Sequence, residues 1–528
     1  MFDGMINFLI NLLAFVFSLG LIVAIHELGH LLFAKRANIL CFEYAIGMGP
    51  AIYKKKGKET DFAIRAIPIG GFVSMAGEMM QDGYVSKGMT IGLNFKDGQI
   101  SEIILTDKLT SEKKITVEDF ELYGEVDNKL FISGYVDGTL ETYDVLDNAI
   151  YKLTEEKEQQ IAPYHRSFES KKYVPKLLTL LAGPMFNFIL AFLLFFVVIS
   201  FTGKPQNSNI IGNVTQAMPA EVAGLAKGDT ITKINDQTIN DWHDLSAVIR
   251  SLDNYENVAI EYIKKGETTP TSTTINFRVD VTQLGVSNIN SDRQVLLSTE
   301  GAQIGSVYGK TLEEDKLKPN DIITAITYND IHTTITNWAD IAKLTDSLDG
   351  GSAQITFLRD GESKDVYITV WEKQVLKSQG ANLFDASIGI TPSYKYNFLY
   401  SLTQPFKEVF NAFYSVITVV GFLFGGSKQI GLGDLSGPVG IFNIVGMFAR
   451  NGILSLLAFI AFLSVNIGII NLLPIPALDG GRILFISIEA ISGKKIPRKV
   501  DVLVNNIFFI LLLLLFVFIT FNDVLRLF

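Results

Sequence analysis

The amino-acid sequence predicts a multi-domain membrane protein: a four-helix transmembrane core with membrane-associated β-hairpins, a cytosolic β-rich insertion and two repeated extracytoplasmic domains. Three observations carry this. The chain has 528 residues, of which 48% are hydrophobic, and a mean hydropathy of +0.29; it is too apolar and too long for one soluble domain. Four apolar stretches, 5–33, 177–201, 453–478 and the shorter 507–521, are long enough to cross ~30 Å of hydrocarbon as helices. The polar segments between them include two copies of one pattern.

In the first span, assigned to 1–36, the only ionisable residues between Met5 and Phe33 are His26, Glu27 and His30. Ionisable groups in a bilayer-length helix are costly, so a functional reading is the default. His-Glu-x-x-His on a helix sets two imidazoles four residues apart on one face, where they can grip a single zinc, with Glu27 beside them as a proton carrier. The alternative is a helix-end cluster at the membrane surface. Lys35, Arg36, Lys54, Lys55, Lys56 and Lys58 follow the span, which places the N-terminus outside and residue 35 in the cytosol. Asp3 stands where a signal peptide would carry basic residues, so the span reads as retained. The single Cys41 excludes an internal disulfide framework, and the net charge of −10 argues against nucleic acid as a partner.

Residues 41–78 alternate apolar and polar positions in short bursts, separated by glycines at 47, 49, 57, 70 and 71. The pattern predicts a β-ribbon at the cytosolic membrane face, whose free edge could receive an extended peptide or which could be a plain structural sheet. Residues 79–165 read as a β-rich insertion with a hairpin turn at Lys96-Asp97-Gly98-Gln99. From Glu78 to His165 there are 18 Asp and Glu against 8 Lys, a solvated acidic face to which no chemistry is assigned. The second span, within 172–202, carries Gly183-Pro184-Met185-Phe186-Asn187. Gly-Pro loosens the helix, and Asn187 faces inward as packing glue or as a ligand.

The repeat runs from Ser208 to Val375. Ile211-Gly212-Asn213-Val214 matches Ile304-Gly305-Ser306-Val307, and Gly228-Asp229 matches Asn320-Asp321. The copies are assigned to 206–284 and 285–375, each with strands around one clear helix. They resemble a tandem of PDZ domains, the second departing from the pattern at Asp315, Lys316 and Asn320. His243 and His332, lacking metal-ligand companions, read as surface residues. Residues 388–450 read as amphipathic helices on the membrane surface, because another crossing would put Arg482, Lys494, Lys495, Arg498 and Lys499 outside the cell. The third span, 452–482, contains Asn466 and runs into Asn471-Leu472-Leu473-Pro474-Ile475-Pro476-Ala477-Leu478-Asp479-Gly480; a fourth is assigned to 503–522. A catalytic zinc takes three protein ligands and one open position, and Asp479 reaches the cytosolic side with His26 and His30, so it leads as third ligand.

His26-Glu27-Leu28-Gly29-His30, Gly183-Pro184-x-x-Asn187, the PDZ-like insertion, Ser436-Gly437-Pro438-Val439-Gly440 and Asn471-x-x-Pro474-x-Pro476-x-x-Asp479-Gly480 occur in that order. Together they resemble the site-2 protease family of zinc intramembrane metalloproteases, bacterial RseP type, in the branch found in Gram-positive bacteria. That branch usually carries one PDZ domain, so the second copy departs from it. The resemblance implies that His26, His30 and Asp479 bind zinc and that Glu27 is the general base. It implies that Asn187, Asn466 and Asn471 contact substrate, and that the ribbon at Gly70, Gly71 and Phe72 clamps it. It also implies substrates that are single-pass membrane proteins or signal peptides, already cut by another protease, in the bacterial plasma membrane. A different class of function, a PDZ membrane scaffold with a structural zinc, would require a fourth protein ligand.

Overall fold

A computed structural model describes residues 2–77, 84–124, 129–155, 157–308, 316–378, 380–425 and 431–525. The 78/79 boundary between ribbon and insertion, and Asp315 of the second copy, lie outside them. The chain forms two units, one of residues 1–195 with 435–528, the other of 196–434.

In the first unit, α1 (Phe2–Arg36) is one unbroken helix. It is followed by two long strands, β1 (Cys41–Lys55) and β2 (Asp61–Met75). These bend so that residues 43–46 pair on one side with 71–74 and on the other with 61–64. The expected ribbon is therefore a sheet with 71–75 along one margin. The insertion holds β3 (Thr90–Lys96), β4 (Gln99–Ile104), β5 (Lys113–Glu121), β6 (Phe131–Val136), β7 (Thr139–Lys152) and β8 (Glu158–Gln160). The β3–β4 turn falls at Asp97 and Gly98, both at positive φ. Pairing of β4 with β7 closes the sheet on itself. Ile91, Leu93, Ile103, Ile115 and Ile132 fill the interior, leaving the acidic residues outside. Backbone bonds from Leu40 to Arg166 (2.9 Å), Ala76 to Leu40 (2.9 Å) and Phe168 to Ala76 (2.7 Å) fasten its neck. The chain then enters α2 (Tyr173–Thr202), with Pro184 inside.

The second unit contains α3 (Pro219–Val222), α4 (Trp242–Arg250), α5 (Trp338–Leu344), α6 (Lys373–Ser378) and α7 (Phe398–Gly425). Its repeat is visible in the order of elements. Strands 230–234 and 237–238, helix α4 and strands 258–263 and 270–275 recur as strands 322–328 and 331–334, helix α5 and strands 352–359 and 362–369. Asn320 holds the left-handed turn (φ +76°) that Gly228 holds in the first copy (φ +95°), a conformation asparagine tolerates. One boundary expectation is corrected. The first copy does not end at residue 284, because Ile211–Val214 pairs with Ile390–Pro392 and Arg278–Val281 with Asp385–Ser387. In the second copy the matching strand, Ser306–Val307, pairs with Val286–Ser287 just before it. The second copy is thus inserted within the first, whose open sheet edge is satisfied only after residue 384. For the same reason 388–397 is not helical.

The first unit resumes with α8 (Pro438–Arg450), α9 (Ile453–Leu472), α10 (Asp479–Ser492) and α11 (Arg498–Leu525). The span assigned to 452–482 is interrupted at its two prolines. Pro474 and Pro476 cannot donate to a helix, so α9 stops at Leu472 and α10 begins at Asp479. Among the described residues five helices are long and apolar enough to cross a membrane: α1, α2, α7, α9 and α11. The fifth, α7, has a hydropathy of 1.3 against 2.5 to 3.0 for the others.

Candidate metal centre

The unbroken α1 puts His26 and His30 one turn apart, their rings 4.8 Å between centroids at 80°. Asp479, the first residue of α10, meets them. His26 Nε2 and His30 Nε2 are 3.2 Å apart, and Asp479 Oδ2 lies 3.2 Å from the first and 3.3 Å from the second. Both imidazoles and Glu27 are buried.

With neutral rings, these three atoms suit a cation. His30 Nδ1 lies 2.8 Å from the Thr179 carbonyl and donates to it, so in the neutral ring Nε2 carries a lone pair. That lone pair faces a carboxylate oxygen and another imidazole nitrogen, an unfavourable convergence of acceptors unless a cation sits among them. Ligand bonds of about 2.0–2.2 Å at tetrahedral angles set ligand atoms roughly 3.3 Å apart, the size of this triangle. Asp479 Oδ2 is buried without a hydrogen-bond partner among the described residues. The N-terminal end of α10 favours negative charge there.

Close backbone approach holds the site together. A Cβ on Gly183 would lie 2.2 Å from His30 Nε2, and one on Gly29 would lie 2.4 Å from the Ala182 carbonyl. The contact between α1 and α2 therefore has no room for side chains at these positions. A Cβ on Gly480 would lie 2.1 Å from the Leu473 carbonyl, so the loop 473–478 folds tightly onto the first turn of α10.

A cavity of about 520 Å³ opens beside the triangle, lined by His26, Glu27, His30 and Asp479. Its other walls include Gly70, Gly71, Phe72, Val73, Asn471 and Arg482. The Val73 amide faces the Glu27 carboxylate, and Tyr44 ties β1 to α1 by donating to the Ala24 carbonyl at 2.7 Å. Of the residues expected to contact substrate, Gly70, Gly71, Phe72 and Asn471 line the cavity, whereas Asn187 and Asn466 do not. Asn187 is fully buried with its side-chain amide 3.2 Å from His26 Nδ1. The nearer amide atom is Nδ2; with Nε2 on a metal, Nδ1 would carry the proton, and the amide turned over would present Oδ1 as its acceptor. Asn466 Oδ1 is buried without a partner among the described residues.

Sequence reasoning missed Thr179, which acts through its backbone and so leaves no residue signal. Gly183 was noted, but for loosening α2 rather than for clearing the histidines. His243 is exposed in the second unit, and His332 lies beside Thr327 Oγ1 at 3.1 Å; among the described residues neither belongs to a group that could hold a metal.

The sequence model of peptidase family M50 matches residues 14–515. The chain belongs to peptidase family M50, the site-2 protease family. Among its M50 relatives, a zinc metalloprotease RasP of Geobacillus kaustophilus is 31% identical across 99% of this chain and 100% of the relative. The regulator of sigma-W protease RasP of Bacillus subtilis is 32% identical across 99% and 100%, and a zinc metalloprotease RasP of Oceanobacillus iheyensis 30% across 98% and 99%. This M50 peptidase is a zinc metalloprotease of the intramembrane type and a multi-pass membrane protein.

Proposed function

We propose that His26, His30 and Asp479 hold the zinc and that Glu27 is the general base for hydrolysis of a peptide bond in an unwound membrane segment. The observation carrying this is the acceptor triangle opening, together with Glu27, onto a cavity walled by residues 70–75. When bound, zinc lowers the pKa of a coordinated water to ~7 and polarises a carbonyl. Glu27 takes the proton from the attacking water and returns it to the leaving amine. Thr179 and Asn187 fix the ring orientations. No fourth protein ligand joins the three among the described residues, which favours an open position over a closed structural site.

A helical substrate keeps its carbonyls bonded, and exposing each in lipid costs several kcal/mol unless partners are offered. Residues 71–75 pair with β1 on one side only; an unwound substrate adds along the other as a further strand. Asn471 lies where it can take one more backbone group. Such segments are those of single-pass membrane proteins or leftover signal peptides whose external part another protease has removed. The basic residues after α1 orient the site toward the cytosol, and the PDZ-like tandem faces outward. On the same parity α7 lies on the outer leaflet and the core has four crossing helices.

Glu27→Gln should retain zinc and lower cleavage of a substrate helix in detergent by roughly 10²–10⁴-fold. Unimpaired turnover refutes the role given to Glu27. Membrane peptides that accumulate in cells carrying this variant identify the substrates.

A further inference from the structure

Helix α11 has no buried residue in its apolar window and is fastened by polar side chains near its ends. Asp523, buried near its C-terminal end, accepts from the Gly440 amide at 2.8 Å at the start of α8. Asn505, near its beginning, accepts from the Ala477 amide at 2.8 Å through Oδ1. The second tie reaches the metal centre. Ala477 has φ +74°, left-handed backbone that residues with a Cβ rarely adopt, and it stands two positions before Asp479. The Asn505 amide is itself aimed: Nδ2 donates to the Asp501 carbonyl at 2.9 Å and to the Asp501 carboxylate at 2.7 Å. Its oxygen is thereby turned to the loop.

We propose that Asn505 is a positioning residue for Asp479, holding the left-handed turn at Ala477 from which that carboxylate meets His26 and His30. Without the Asn505 oxygen, Ala477 relaxes toward negative φ, the next peptide rotates, and Asp479 Oδ2 leaves its 3.2 and 3.3 Å positions. The inference rests on the reading of Asp479 as a zinc ligand. Asp501 acts one step further out, by orienting Asn505.

The test uses the full-length protein in detergent, with zinc affinity read by competition against a chelating dye. Asn505→Ala should weaken zinc by about tenfold, the scale of lost outer contacts in metal sites. Adding Ala477→Gly should recover most of that loss, because glycine holds positive φ without a tie; a role of Asn505 in α11 packing alone gives no such rescue. Unchanged affinity in Asn505→Ala, or a folded double variant as weak as the single one, overturns the proposal. If Asn505→Ala does not fold, the double variant decides. Folded and near-parental in affinity, it upholds the proposal; unfolded, it shows that α11 itself needs Asn505 and overturns it. Asp479→Ala is measured alongside. If it leaves zinc affinity intact, the ligand reading fails; if it loses zinc while Asn505→Ala does not, only the present inference fails.

Discussion

His26 and His30 reach the proposed metal centre by a different route from Asp479. The two histidines stand one turn apart on an unbroken helix, so continuity of α1 alone sets their spacing. Asp479 follows a six-residue break between α9 and α10. Its approach depends on Pro474 and Pro476 ending the helix, a left-handed Ala477, a Cβ-free Gly480 and a carbonyl-like acceptor supplied by α11. A residue pair within one helix has its spacing set by that helix, whereas a residue just after a loop needs its direction held by other parts of the chain. The helix pair should therefore fail by steric intrusion and the loop ligand by loss of support.

Intrusion carries the larger expected effect. Gly183→Ala places a carbon 2.2 Å from His30 Nε2, the atom that would meet the metal. α2 has little freedom to retreat, because its Thr179 carbonyl accepts from His30 Nδ1 and its Ala182 is packed against Gly29. Zinc affinity should fall by roughly 100-fold, with proteolysis lost in parallel, as measured by metal content after dialysis at graded free zinc. Full zinc retention would show that the two helices part easily and that the pair is less rigid than its geometry.

Gly480→Ala tests the loop. Its added carbon lies 2.1 Å from the Leu473 carbonyl, so the break must open and Asp479 turns away while both imidazoles stay in place. The expected loss in zinc affinity is roughly tenfold, smaller than for Gly183→Ala because two ligands remain correctly set. The reverse ranking would make the loop, not the helix pair, the main determinant of binding.

The same contrast explains what could be read from the sequence. The His-Glu-x-x-His spacing maps directly onto one helix face, and Asp479 follows from parity and motif, because each is a local pattern with a geometric meaning. The partners of these residues are not local. Thr179 contributes a carbonyl that any residue would supply, and Asn505 is one polar residue in a helix whose apolar pattern dominates. In the second unit the repeat itself is legible from matching residues, but its boundary is not. The strand that closes the first copy follows the second, and sheet pairing across that distance leaves no periodic trace. The break at 473–478 was foreshadowed by its two prolines, though hydropathy alone runs the helix through it.

A third region is held by neither helix continuity nor loop support, and it sharpens the contrast at its weak end. Glu59, in the turn between β1 and β2, joins Lys35 at the end of α1 (3.3 Å) to Arg166 at the neck of the insertion. Burial raises its pKa, but the hydrogen bond and charge of Arg166, followed by those of Lys35, outweigh this and hold it below the usual 4.5. A carboxylate depressed on folding stabilises the protein above its unfolded pKa, and that contribution disappears as pH falls through the folded value. Because Glu59 is about one-third exposed, solvent screening limits the effect to less than about 1 kcal/mol. Glu59→Gln should therefore be slightly less stable than the parent near neutral pH, the gap closing as pH falls below the usual 4.5 and shrinking in ~1 M salt, where the screening length is about 3 Å. Thermal unfolding of both proteins across that range measures it. A gap unchanged by acid or salt would mean that the turn is fastened by packing, like the α1–α2 contact, rather than by charge.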